Sequence, residues 1–285
     1  MQDKKVVKIV GNRTGIGNQI QFIPFIEELK KDYLVWSDSK LFYEFGVLSE
    51  EYDRADYYVT VFSYDVKKVF EEQYRSPGKY YGFRYRVKRR HLGLGYSKSL
   101  RFNEDRSEVL NNLDLYNYCF NQNLDAFNFH LDGWNPKPGL VGFGISPKIE
   151  KTMPIETWKQ LISRVKELGF EVKILDYDIG EPGYIKTPKL SDLKRELSEL
   201  QYFIGVDSGV MHLADILGIP SLIMFGSTSI EKNAPFNGKS IVYSRELECS
   251  PCFDWGRIDC PFQFNCMNFE VDKILEKFDE LCKNQ

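Results

Sequence analysis

In the stretch YFIGVDSGVMHLADILGIPSLIMFGST an apolar run stops at Asp207-Ser208-Gly209, and His212, the only histidine of the C-terminal half, follows one helical turn later. A carboxylate, a hydroxyl, a glycine and an imidazole in that order are parts that can hold an anion. The first turn of a helix carries unpaired N–H groups and the positive end of its dipole. Gly209 lets a phosphate approach the backbone, and Ser208 can donate its hydroxyl. Those parts suit a diphosphate. The plainer alternative is an Asp or Ser N-cap beside a packing histidine, and spacing alone does not separate the two. A second apolar run, SLIMF, stops in the same way at Gly226-Ser227-Thr228. Ligands of open α/β sheets lie beyond the carboxyl ends of strands, and both stops are such ends.

Four of the six cysteines, Cys249, Cys252, Cys260 and Cys266, fall in one short segment. The Cys249-x2-Cys252 pair forms a chelating knuckle stiffened by Pro251, and four thiolates at this spacing suit a tetrahedral zinc or iron in a structural role. The alternative is reduced cysteines packing a loop. Disulfides are the less expected use, because the start, MQDKKVVKIVGN, does not read as an export signal.

The totals narrow the classes. At 285 residues the chain suits two domains of ordinary size or one large one. A formal net charge of −3 argues against a general nucleic-acid or anionic-membrane footprint. No apolar run is long enough to span a bilayer, so a soluble, cytoplasmic protein is expected, with peripheral membrane contact left open. Aromatic residues crowd the first half.

The elements that must position these residues follow a βα rhythm. Residues 5–10 read as a strand ending at Gly11-Asn12, then a turn, Gly15-Ile16-Gly17-Asn18. Ile20, Ile23, Phe25, Ile26 and Leu29 share one side at helical spacing, which predicts a helix from about Asn18 to Lys31. Strands are expected at 33–36 and 57–62, and a helix at 106–120. Residues 79–99 mix aromatics, glycines and cationic residues and give no clear element. The run DGWNPKPG (132–139) reads as an interdomain linker, dividing the chain into 1–135 and 136–285. Beyond it strands are expected at 140–143, 172–175, 202–206 and 221–225, with helices at 154–168, 192–200, 210–217 and 271–282. The fold class is α/β, two doubly wound domains.

The residues then carry a resemblance. "DSGVMHLADILGIPSLIMFGST" closely resembles the donor-site segment of glycosyltransferase family 9, the heptosyltransferase-like glycosyltransferases. "ISPKIEKTMPIETWKQLISRVKELGFEVKIL" resembles that family's Lys-x-Trp-Pro element and the helix and strand after it, with Met153 where Trp is usual. "CSPCFDWGRIDCPFQFNCMNFEVDKI" resembles the cysteine-rich tail of many members, and "GNRTGIGNQIQFIPFIEELKK" is a weaker fourth match. The resemblance implies the GT-B architecture, two Rossmann-like domains facing across a cleft. It implies a nucleotide-diphosphate sugar donor on the second domain, held by Asp207, Ser208, Gly209, His212, Lys151, Gly226 and Thr228. Lys151 and His212 would be catalytic, with Lys151 neutralising the departing diphosphate. A glycan or lipid-linked saccharide acceptor would lie on the first domain, near Gly17, Asn18 and Gln21, with Arg84 and Arg86 as further contacts. Such enzymes require no metal for catalysis, although relatives that act on proteins hold iron on a cysteine quartet. The plainer alternatives are a solvated lysine at 151 and a solvated charge run at Arg84–Arg90.

The pattern breaks at Asn18, where the family usually places the aspartate proposed as general base. An amide does not accept the proton of a hydroxyl at neutral pH. Three readings stay open. Asn18 orients the acceptor while another carboxylate, Asp38 or Asp65, takes the proton; the donor phosphate takes it; or the protein is a catalytically silent nucleotide-sugar-binding module. A nucleotide-sugar epimerase on the same fold is a further alternative that product analysis would expose. The expected activity is inverting transfer of a sugar, possibly a heptose.

Overall fold

The structure, a computed structural model, describes residues 4–11, 15–61, 71, 73–74, 76, 78–87, 90–92, 95–103, 105–252 and 259–285. The chain forms two compact units, Met1–Phe129 and His130–Gln285. In the first, β1 (Val6–Val10), β2 (Leu34–Ser37), β3 (Tyr57–Thr60), β4 (Lys79–Val87) and β6 (Lys98–Arg101) form a parallel sheet in the order β2-β1-β3-β4-β6. A short β5 (Arg90–Leu92) folds back antiparallel on the far end of β4. Helices α1 (Ile16–Gln21), α2 (Ile23–Asp32), α3 (Lys40–Glu44) and α4 (Glu108–Phe120) are among its described elements.

The second unit repeats the plan. Its strands β7 (Leu140–Gly144), β8 (Glu171–Leu175), β9 (Tyr202–Val206), β10 (Ser221–Phe225) and β11 (Ser240–Ser244) are all parallel, in the order β11-β10-β9-β7-β8. Helices α5 (Ile155–Glu167), α6 (Leu190–Ser198), α7 (Gly209–Ile216), α8 (Ile230–Asn233) and α9 (Val271–Lys283) accompany it. In both units the second strand lies outside the first, and the chain then crosses to the other side. The strand order therefore reverses between β1 and β3, and again between β7 and β9. Crevices at such reversals bind ligands.

The apolar runs behave as a doubly covered sheet requires. Every residue of β7, β9 and β10 is buried, against Trp158, Leu161 and Val165 of α5 and Ile274 and Phe278 of α9. Full burial of each such large side chain stabilises the fold by roughly 1.5–3 kcal/mol. The aromatic residues of the first unit have a structural use. Tyr33, Tyr57, Tyr81 and Tyr116 surround Phe120 with centroids 5.3–6.4 Å away.

Several elements differ from expectation. The single helix expected from Asn18 to Lys31 is two, separated at Phe22, because Pro24 supplies no N–H and its ring crowds the preceding turn. Residues 79–101 hold three strands. The short α3, α8 and β11 had no periodicity to announce them; β11 is half-buried along its length at the sheet edge. The stretch read as a linker is bonded to the second unit: the Asn135 and Lys137 amides donate to Ser198 and Glu199, and the Trp134 indole to the Leu200 carbonyl.

Candidate functional site

At the reversal in the second unit, the loops after β7 and β9 meet. The chain leaves β7 through Ser146 and reaches Lys151 at the end of a 3-10 turn, Ile149–Lys151. Met153, the residue standing where tryptophan is usual, is fully buried, and the Trp158 indole donates to the Thr152 hydroxyl at 3.1 Å. These two anchors fix the segment so that the Lys151 ammonium lies 2.8 Å from Asp207 Oδ2. From β10, the Thr228 hydroxyl also donates to Asp207. His212, one turn into α7, places Nε2 3.9 Å from Asp207 Oδ1. Lys151, Thr228 and His212, carried by three different stretches of the chain, thus converge on one buried carboxylate.

Ser208 caps α7, its hydroxyl oxygen accepting the Met211 amide at 3.3 Å. The N-cap reading therefore holds, and it leaves the hydroxyl hydrogen for a ligand. Ser208 and Gly209 are half-exposed at the mouth, whereas Asp207 is buried. Asp207 is thus an internal anchor for Lys151, Thr228 and the α7 turn. Gly226 is also internal: a Cβ there would stand 2.3 Å from Met267 Sδ and 3.0 Å from Cys266 Sγ, so its lack of a side chain serves close packing.

Electrostatics follow from this burial. Burial pushes the Asp207 carboxyl up, but the Lys151 ammonium and the hydrogen bonds from Lys151 and Thr228 prevail and hold it below the ordinary range. Burial, with Lys151 nearby, brings His212 down to about 4 despite the opposing pull of Asp207. Near neutrality the site is an Asp⁻–Lys⁺ pair beside a neutral imidazole. Asp215, also on α7, is pushed up to about 7 by burial, against the Phe236 and Asn237 amides that donate to it at 3.0 and 3.1 Å. It ties the loop before β11 to the helix.

In the first unit, Asn18 is half-exposed on α1, and its amide nitrogen lies 2.8 Å from both carboxylate oxygens of Glu108, a buried residue that opens α4. Nothing in the sequence around position 108 announces this partner, which only the fold brings to Asn18. Gly17 is half-exposed, whereas Gln21 is buried and its carbonyl accepts the Asn112 amide at 3.1 Å. Asp38 accepts the Gly11 amide at 2.8 Å and so braces the ends of β1 and β2. Arg84 is exposed on β4. The Arg86 side chain and Asp65 lie outside the described residues.

No disulfide joins any of the six cysteines among the described residues. Cys249, Cys252, Cys260 and Cys266 line one cavity of about 190 Å³, with Pro261, Phe262 and Phe264 among its walls. Burial pushes the Cys266 thiol up, opposed by a hydrogen bond with Ser250 and reinforced by the other three sulfurs. The donor set fits a soft metal chemically. Among the described residues, however, no three His, Cys, Asp or Glu side chains are arranged to hold a metal ion.

Two doubly wound units with strand order 2-1-3-4-5, one carrying an anion-compatible mouth at its switch point, define the class: the fold is GT-B. Residues 186–260 match the family model of glycosyltransferase family 9 (heptosyltransferase), which shows the resemblance read from the motifs. Lipopolysaccharide heptosyltransferase 1 of Pseudomonas aeruginosa is 23% identical over 128 residues, covering 40% of this chain and 36% of that protein. The match thus spans little more than a third of the curated relative. The structure of E. coli heptosyltransferase WaaC with ADP superposes with a TM-score of 0.72 at 12% identity, covering 96% of this chain and 99% of that one. The iron-containing dodecameric glycosyltransferase TibC of enterotoxigenic E. coli H10407 superposes with a TM-score of 0.56 at 15% identity, covering all of this chain and 77% of that one. These superpositions bear on the fold.

Proposed function

We propose that the protein is a glycosyltransferase that moves a heptose-type sugar, with inversion, from a nucleotide-diphosphate sugar to a saccharide acceptor. The observation that carries the reading is the Lys151 ammonium fixed beside the half-exposed Ser208-Gly209 turn of α7. A diphosphate seated there would receive the α7 amides, the Ser208 hydroxyl and the Lys151 charge. The acceptor oxygen attacks the anomeric carbon from the side opposite the diphosphate. The new C–O bond forms as the sugar–phosphate bond breaks, and negative charge builds on the departing oxygen. A fixed cation and aligned N–H groups stabilise that charge without a metal. Asp207 keeps Lys151 in place, and the neutral His212 imidazole offers one N–H donor at the same mouth. The matched relatives act on heptose, and one solved neighbour carries ADP, so an ADP-linked heptose is the first donor to try.

The cysteine cavity is read as a structural zinc or iron site; loaded, it would tie Cys249, Cys252, Cys260 and Cys266 to one another, and no step of transfer passes through it. A reducing, cytoplasmic setting would suit cysteines kept as thiolates for such a metal. Among the described residues no helix is long and apolar enough to cross a membrane.

A silent binding module is the second reading, favoured by the amide at position 18. A thermal-shift screen against ADP, ADP-heptose and GDP-, UDP- and TDP-sugars, followed by product analysis with saccharide acceptors, separates the two. A stabilising nucleotide plus a glycosylated product supports transfer. A stabilising nucleotide without a product over a broad acceptor panel supports the module, and no stabilisation by any nucleotide refutes both.

A further inference from the structure

α1 is held by polar contacts on three fronts. Asn18 donates to Glu108, the Gln19 side-chain oxygen accepts the Ser39 hydroxyl, and the Gln21 carbonyl accepts the Asn112 amide. Glu108 and Asn112 are 3% and 0% exposed. Burying the Glu108 carboxylate and the Asn112 amide at the contact with α1 is costly where apolar side chains would pack without penalty. What such a network adds is a single fixed geometry.

The geometry fixed is that of one amide. Both Glu108 oxygens lie 2.8 Å from Asn18 Nδ2. Turning the amide over would set its oxygen against a carboxylate, which has no hydrogen to give. The nitrogen is therefore held inward, and Oδ1 lies on the side of Gly15, 3.1 Å from where a Cβ on that glycine would stand. Gly15 is exposed and carries no side chain to cover that oxygen. α1 is the first helix after β1, a strand at the order reversal of the first sheet, and ligands of doubly wound sheets bind at such reversals.

We infer that Glu108 is a positioning residue. It holds Asn18 so that Oδ1 serves as a neutral hydrogen-bond acceptor for a substrate hydroxyl, recognising a polyhydroxylated ligand in its un-ionised form. That the hydroxyl belongs to the sugar acceptor rests on the glycosyl-transfer reading above.

The test uses the full chain with ADP-heptose as donor and methyl glycosides as acceptor probes, following ADP release. Glu108→Gln keeps the shape and an acceptor oxygen but lets the pair of amides reverse. It is expected to raise the acceptor KM roughly three- to tenfold, the range for one lost hydrogen bond, with the donor KM within about twofold of wild type. Asn18→Ala is expected to lose as much or more, and adding Glu108→Gln to it is expected to cost nothing further, because Glu108 acts through Asn18. Losses that add, or an unchanged acceptor KM in Glu108→Gln, overturn the inference. An independent readout needs no turnover. The Asn18 side-chain amide NMR signals, assigned by their loss in Asn18→Ala, are expected to be slow to exchange in wild type and to shift and exchange faster in Glu108→Gln. Unchanged signals overturn it. Thermal stabilisation by ADP, read on the same samples, keeps the outcomes apart: if it persists, only the role of Glu108 has failed, and if wild type lacks it, the donor reading has failed.

Discussion

Lys151→Met removes the ammonium from the second unit while keeping much of the aliphatic stem, and so isolates the charge. Asp207 would then be left with a side chain only 5% exposed and no cation, its remaining partners being the Thr228 hydroxyl and a neutral His212. Breaking a buried pair from one side costs about 3–5 kcal/mol. The Lys151 side chain is 17% exposed, so water reaches part of the gap, and about 2–3 kcal/mol is the figure expected at pH 7. Against a total of about 5–15 kcal/mol, the variant still folds. The pH dependence identifies the cause. In wild type the Asp207 pKa is depressed, so its contribution is present at neutral pH and is lost as pH falls through the carboxylate range. Without Lys151 burial prevails and the pKa rises, so protonation relieves the penalty, and the two stability curves should converge toward pH 4. Lys151→Met/Asp207→Asn should recover most of the stability at pH 7 and still show no stabilisation by ADP. Urea unfolding from pH 4 to 8, with an ADP thermal shift on each variant, makes the measurement. A Lys151→Met deficit that is absent, or that does not change with pH, would refute the reasoning.

His212 supplies a second pH signature: with its pKa brought down to about 4, protonation favours the unfolded chain, so stability should fall as pH drops from about 6.5 toward 4, by up to about 3 kcal/mol. His212→Gln should flatten that limb, and an unaltered acid profile by urea titration would contradict it. Gly226→Ala should lower stability by about 1–3 kcal/mol, because the new methyl must displace Met267 or the backbone of Cys266; a melting temperature equal to wild type would show that the packing yields. The chain purified under reducing conditions should carry about one zinc or iron, lost in Cys260→Ser, and a chelator should lower its melting temperature. Metal-free protein whose melting is indifferent to chelator would assign the four cysteines to packing.

The second unit was the more legible half, for a physical reason. Its central strands are buried on both faces, so they appear as unbroken apolar runs, and their polar stops mark the carboxyl ends of the strands. Residues 202–206 and 221–225 are strands as expected, and the site residues following them lie within a few positions. The partners of Asp207 were legible only one by one; that Lys151, Thr228 and His212 meet on it is a product of the strand order, which spacing does not encode. The first unit was harder. Its sheet is lined with tyrosines whose rings pack on one another, so residues 79–101 showed neither alternation nor a continuous apolar run. Pro24 was visible but was outweighed by the apolar spacing around it. Glu108 stood unnoticed because a helix-opening glutamate is ordinary on a surface, and only its burial against Asn18 makes it otherwise.

The most direct test is an amide chemical-shift map of the full chain titrated with ADP. Shifts centred on Lys151, Ser208, Gly209 and Thr228, lost in Lys151→Met, are expected. Saturable shifts confined to other parts of the chain, with the α7 turn unmoved, would contradict the assignment of the nucleotide site.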